Sequence, residues 1–279
     1  MILDSTNSPA EPASPGRIYR VGAVRFLNAR PLVFGLDRRP DVRLSMAVPS
    51  ALGDALNAGQ LDAAMVPAID CLRAGPRWTI LSAGCIASDD ETLTVRIFSR
   101  VPLDRIDRLA ADADSHTSIA LAKIILGRSF NRTVRIEPAD MRAVLRKPPA
   151  DQPDSVLLIG DKVVAAGPND PRSPWPIQLD LGRAWRKLTG LPFVFAVWAA
   201  SADKPWSQLA AILDEARVAG LARLEQIART DGPALGWPID LAIAYLTRHL
   251  AYDLTPLRRA GLDRFFQLAG QDGLVLGRT

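Results

Sequence analysis

Two long apolar segments, residues 92–99 (TLTVRIFS) and 193–199 (FVFAVWA), bracket a block that alternates helix and strand by itself. No single motif constrains the fold as strongly. Inside the brackets, 115–126 has helical periodicity closed by Gly127, 133–136 is extended, 141–146 is a short helix, and 155–159 is an apolar strand. Proline-rich loops follow, at Pro168, Pro171, Pro174 and Pro176. A complete αβ block entered and left through strands is the pattern of one lobe inserted into another. Two connections favour a hinge over a loose tether.

The flanking chain uses the same alternation. A strand over 18–24 runs into a polar turn, 42–48 is a second strand, and a helix capped by Ser50 runs to Gly59. Residues 61–67 read as a third, buried strand, and strand–helix–strand order predicts a parallel sheet. A short helix at 69–72 and an extended segment at 78–85 follow. The tail is helical: 206–227 with Gly220 as its weak point, a helix around Leu241 to Tyr245, and a last helix ended by Gly270. Thr255 and Pro256 suit the N-cap and first position of that last helix. The expected fold is α/β and two-lobed, with a ligand cleft between the lobes and two crossover strands. Residues 17–95 and 197–279 form the first lobe, 96–196 the second, and 1–16, rich in Ser, Pro and Ala, a disordered leader. A chain of 279 residues has ample material for two cores.

In α/β sheets, ligands bind at the carboxyl ends of the strands, so the turn after the first strand is the first place to look. Asn28 lies in that turn, and Pro31 suits the start of a helix after it. Asn28 either caps that helix or offers its amide to a bound anion or hydroxyl. A second candidate is the run Ser115, His116, Thr117 and Ser118, after Asp114 and just before an apolar helix. Its hydroxyls and the amides of the helix start suit a carboxylate, although Ser115 or Thr117 could simply cap. Thr94 and Ser88, at the first bracketing strand, are placed to face a cleft. Asp161, after Gly160 at the end of an apolar strand, either binds a ligand or shapes a turn.

Absences narrow the chemistry. The chain has no Gly-rich phosphate loop, no G-x-S-x-G elbow, no H-E-x-x-H and no cysteine cluster. Two cysteines and two histidines, far apart, predict neither a disulfide framework nor a metal site, and no cofactor is expected. The formal charge of +4 arises from 34 basic residues scattered among 30 acidic ones. No basic tract forms, so the expected partner is an anionic small molecule and not a nucleic acid. No apolar run reaches the roughly 20 residues of a membrane span, and the start lacks a secretory pattern, which predicts a cytoplasmic protein.

With these positions on the page, the chain resembles the chorismate dehydratases of the futalosine route to menaquinone, from about Ile18 to Leu274. Leu27-Asn-Ala-Arg-Pro-Leu32 is similar to that family's L-N-x-x-P-L. Gly59-Gln-Leu-Asp62, Met65-Val-Pro67, Leu158-Ile-Gly-Asp161 and the long run from Asp180 to Trp198 also match, as do Tyr245-Leu-Thr247 and Tyr252-Asp-Leu254. The resemblance implies a type II periplasmic-binding-protein fold acting as a lyase, with chorismate as substrate and 3-[(1-carboxyvinyl)oxy]benzoate and water as products. It implies Asn28 and Thr94 as catalytic groups. Ser115, Thr117 and Ser118 would hold a carboxylate, with Ser50 on the first lobe's side. His116 stands where the family carries arginine, which makes the charge there pH-dependent. Arg25 occupies a less basic family position and compensates only if it points inward. The family also implies that the substrate's enolpyruvyl carboxylate takes the proton, which would account for the missing acid–base residue. A non-catalytic cytoplasmic sensor for an aromatic or dicarboxylate ligand is the alternative that the same fold allows.

Overall fold

The computed structural model describes residues 17–112, 115–167 and 173–275. The expected leader, Asp114, Pro168 and Pro171 lie outside the described residues. The first sheet begins with β1 (Tyr19–Val24), β2 (Val42–Ala47), β3 (Ala63–Pro67) and β4 (Trp78–Ser88). The second holds β5 (Val95–Ser99), β6 (Arg108–Ala111), β7 (Arg135–Pro138), β8 (Ser155–Ile159) and β9 (Ile177–Asp180), after which β10 (Phe193–Ser201) returns to the first.

Both sheets follow one plan. The first has the order β2-β1-β3-β10-β4, with β1 parallel to β2 and β3, and β10 antiparallel to both its neighbours. The second has the order β7-β6-β8-β5-β9, with β6 parallel to β7 and β8, and β5 antiparallel to β8 and β9. Central strands such as β3 are buried along their whole length, as a sheet covered on both faces requires. Each passage between lobes runs straight into one of the long strands: residues 89–94 into β5, and 190–192 into β10.

The lobe edges therefore differ from expectation by a few residues. Phe193 and Val194 pair with Ser88 and Ala87 of β4, so 193–196 belong with the first sheet. Val95 pairs with Ile159 and belongs with the second. An apolar run fits either core equally well, and only the pairing decides.

Ten α-helices cover the sheets among the described residues: α1 (Pro49–Asn57), α2 (Ala68–Ala74), α3 (His116–Phe130), α4 (Met141–Leu145), α5 (Asp161–Ala165), α6 (Leu181–Thr189), α7 (Ser207–Leu221), α8 (Leu224–Asp231), α9 (Ile239–Ala244) and α10 (Pro256–Gln271). Thr255 caps α10 as expected, its hydroxyl accepting from the Arg258 N–H. Ser50 is not a cap: Val48 flanks α1, Pro49 opens it, and Ser50 falls in the first turn. Its side chain lies outside the described residues. Gly127 does not end α3, which runs to Phe130 and closes on Asn131 in the left-handed region, φ 52°. The expected long tail helix is two helices, α7 and α8.

An aromatic cluster fastens the second crossing. Trp185 of α6, Phe193 of β10 and Phe265 of α10 meet edge to face, with ring centroids 5.2 Å (Trp185–Phe193) and 5.0 Å (Phe193–Phe265) apart. A smaller cluster of Phe98, Val156, Leu158 and Trp175 packs within the second lobe.

Candidate active site

After β1 the chain enters a 3₁₀ segment, Leu27–Val33, flanked by extended Phe26 with no side-chain cap. Asn28 therefore sits inside the segment and does not cap it. Its Oδ1 is buried with no partner among the described residues. An orphaned buried amide oxygen is costly, on the order of 1–3 kcal/mol, and calls for a partner.

Asn28 faces a crevice between the lobes. The opposite wall is the start of α3. Ser115 occupies the cap position of α3 but makes no capping bond, and its buried Oγ has no partner among the described residues. Ser118 is buried and also lines the crevice. The first turn of this helix adds N–H groups and the positive end of its dipole. Thr117 and His116 line the same wall but reach across to α2 of the first lobe. The Thr117 Oγ1 accepts from the Ile69 N–H at 3.2 Å, and His116 Nδ1 lies 2.8 Å from an Asp70 carboxylate oxygen.

The third wall holds Thr94, whose Oγ1 lies 2.7 Å from the Tyr245 hydroxyl. Tyr245 opens a π-helical turn, Tyr245–His249, directly after α9, a local irregularity common at functional sites. Burial pushes its phenol far above the ordinary value, although the Thr94 and Asn28 hydrogen bonds oppose the shift. The hydroxyl therefore keeps its proton. Asp180, the last residue of β9, stiffens this wall by accepting from the Thr92 and Leu93 N–H groups at 3.0 and 2.9 Å. Burial raises its carboxyl too.

Three expected site residues do not line the crevice. Arg25 is exposed and donates from Nε to the Met46 carbonyl at 3.1 Å, so it is surface and does not compensate for His116. Ser88 is buried but donates to the Asp90 carbonyl at 2.7 Å, where it shapes the first crossing. Asp161 is turned from the crevice and accepts from the Trp237 indole N–H at 2.7 Å. In each case the side chain satisfies a nearer backbone or aromatic partner. Tyr245, read from the sequence only as part of a helix, also lines the crevice. Its signal was a hydroxyl on a buried stripe, which demands a partner.

Among the crevice-lining residues, His116 is the sole basic side chain, and aromatic and aliphatic groups such as Phe26, Met65 and Phe195 make up much of the rest. The site offers hydroxyls, an amide and a helix start to an anion with an apolar ring. Among the described residues, no group of three or more His, Cys, Asp or Glu side chains is arranged to hold a metal. No helix among them is long and apolar enough to cross a membrane.

Similarity to other proteins agrees with this geometry. The chain is 31% identical over 267 residues to a chorismate dehydratase of Thermus thermophilus, covering 91% of this chain and 96% of that protein. Its fold matches that of an Archaeoglobus fulgidus protein at TM-score 0.74 and 14% identity, over 94% of this chain and all (100%) of the other. The periplasmic aliphatic sulphonate binding protein of Escherichia coli matches at TM-score 0.62 and 16% identity, over 94% and 89% of the two chains. The architecture is that of the periplasmic binding proteins, two lobes around a cleft. The family model described as menaquinone biosynthesis matches residues 19–271. The chain belongs to the menaquinone-biosynthesis family.

Proposed function

We propose that this chain is a hydro-lyase that converts chorismate to 3-[(1-carboxyvinyl)oxy]benzoate and water. One observation carries the reading: Asn28 and Ser115, from different lobes, line one crevice, and each has a buried oxygen without a partner among the described residues. Chorismate supplies what they lack. Its carboxylate accepts from Ser115 and the start of α3, and its ring hydroxyl hydrogen-bonds with Asn28.

The reaction breaks a ring C–H bond, and that electron pair becomes the new ring double bond as the adjacent C–OH bond breaks. The ring becomes aromatic, so much of the driving force resides in the substrate. The proton passes to the substrate's own enolpyruvyl carboxylate and then to the departing hydroxide, which leaves as water. That route needs no protein base, in keeping with a crevice whose one imidazole, on His116, is engaged by Asp70. The chain's task is to hold the conformer in which carboxylate and C–H are adjacent, and to meet the charge growing on the leaving oxygen. The Tyr245 hydroxyl serves the second need, while the Asn28 Oδ1 accepts from the ring hydroxyl and orients it to leave. Closure of the lobes keeps water out.

Incubation of the purified protein with chorismate, followed by ultraviolet absorbance and mass, tests the proposal. The expected result is an aromatic product lighter than chorismate by one water. A rise in melting temperature with chorismate but no turnover would instead mark a ligand sensor.

A further inference from the structure

We propose that Asp161 is a positioning residue that couples closure of the lobes to the alignment of Asn28 and Tyr245. The inference rests on the dehydratase reading and extends it to a side chain that touches no substrate.

Asp161 opens α5 in the second lobe, directly after β8 and Gly160. Gly160 has φ +60°, and a Cβ there would stand 3.2 Å from the Phe26 ring of the first lobe. Glycine thus permits the approach that carries the next side chain across the boundary. The Asp161 carboxylate then accepts from a first-lobe group, the Trp237 indole N–H at 2.7 Å, and the Leu27 backbone N–H of the same lobe helps stabilise its charge. Leu27 is the neighbour of Asn28. Trp237 stacks on Tyr245, with ring centroids 4.6 Å apart and planes 16° apart. One side chain of the second lobe therefore backs both first-lobe groups that face the leaving oxygen, and it does so only while the lobes are together.

The stability cost points the same way. Burial raises the Asp161 carboxyl above its ordinary value, while the Trp237 and Leu27 hydrogen bonds and the charges of Arg142 and Arg30 pull it down. A raised carboxyl stabilises the fold fully below the unfolded-state value, and that stability is lost as pH rises through the folded-state value. Ionisation of this group is therefore a cost to the fold. A burdensome charge held away from the ligand, against the supports of two active groups, is spent on function.

The test is chorismate turnover and melting temperature for Asp161→Ala, Asp161→Asn, Trp237→Phe and the Ala/Phe double variant. Asp161→Ala should lower kcat by about 100-fold, the scale of an ångström-sized misplacement, with KM changed far less. Asp161→Asn keeps an acceptor for Trp237 and should recover most of that loss, melting no lower than wild type at neutral pH. Trp237→Phe keeps a ring but loses the donor, and should resemble Asp161→Ala. The double variant should then be no slower than Asp161→Ala, because the Trp237 indole N–H acts only through that carboxylate. Multiplying losses in the double variant, a change confined to KM, or full kcat in Asp161→Ala would overturn the proposal. Absence of wild-type turnover would overturn the dehydratase reading as well, so the two failures are told apart by the wild type.

Discussion

Tyr245 shows how much a single hydroxyl can hold. It lies 2.7 Å from the Thr94 Oγ1, borders the Asn28 amide, and is kept protonated by burial. Tyr245→Phe leaves the ring stack on Trp237 but strips Thr94 of its partner and the leaving oxygen of a donor. We expect kcat to fall by about 10- to 100-fold, the equivalent of one lost buried hydrogen bond of roughly 1–3 kcal/mol, with the fold retained. Steady-state kinetics beside a melting curve checks both halves of that statement. At this scale the sequence is an uneven guide. Asn28, Thr94 and the 115–118 run are legible because short polar side chains cluster where an α/β fold puts its ligand edge. Arg25 and Asp161 mislead because the direction of a side chain at a turn depends on partners distant in sequence, Met46 and Trp237, whereas Ser88 turns to the Asp90 carbonyl two residues on. Tyr245 hides for the opposite reason. Its apolar ring fits a helical stripe, and nothing local reveals where the hydroxyl ends.

Among the elements, α7 matters most to the site, because it lies against the turn that carries Asn28. A Cβ on Gly220 would stand 2.0 Å from the Pro31 carbonyl oxygen, a backbone atom that cannot swing aside. Gly220→Ala should therefore force helix and turn apart and cost about 1–3 kcal/mol of stability, typical of overpacking. Denaturant midpoints measure the cost, and kcat should fall with it as Asn28 shifts. Gly261 of α10 makes an equally close approach, 2.1 Å from the Pro192 carbonyl oxygen, at the second crossing. Periodicity exposes such helices but misreads their glycines. Gly220 resembles a weak point and is in fact a contact, whereas Gly127 resembles a stop and is passed through because Asn131 takes the left-handed position one turn later.

Across the whole molecule, alternation of strand and helix suffices to predict two lobes with one inserted in the other. What it cannot supply is the pairing: the antiparallel insertion of β5 and β10 beside their neighbours, and the few residues by which the lobe edges move. The contacts between lobes are equally non-local. Thr117 to the Ile69 backbone N–H, His116 to Asp70, and Asp161 to Trp237 each join groups separated by dozens of residues. They close a crevice that presents amide, hydroxyl and helix-start groups to a dianion whose own chemistry favours losing water. The most direct test of that account is kcat at saturating chorismate for Asn28→Ala beside the wild type, with circular dichroism to verify the fold. The account predicts a folded variant slowed by about 100-fold, the scale of a misplaced reacting group, because the Asn28 Oδ1 no longer orients the ring hydroxyl. A folded variant that dehydrates chorismate at the wild-type rate would contradict it.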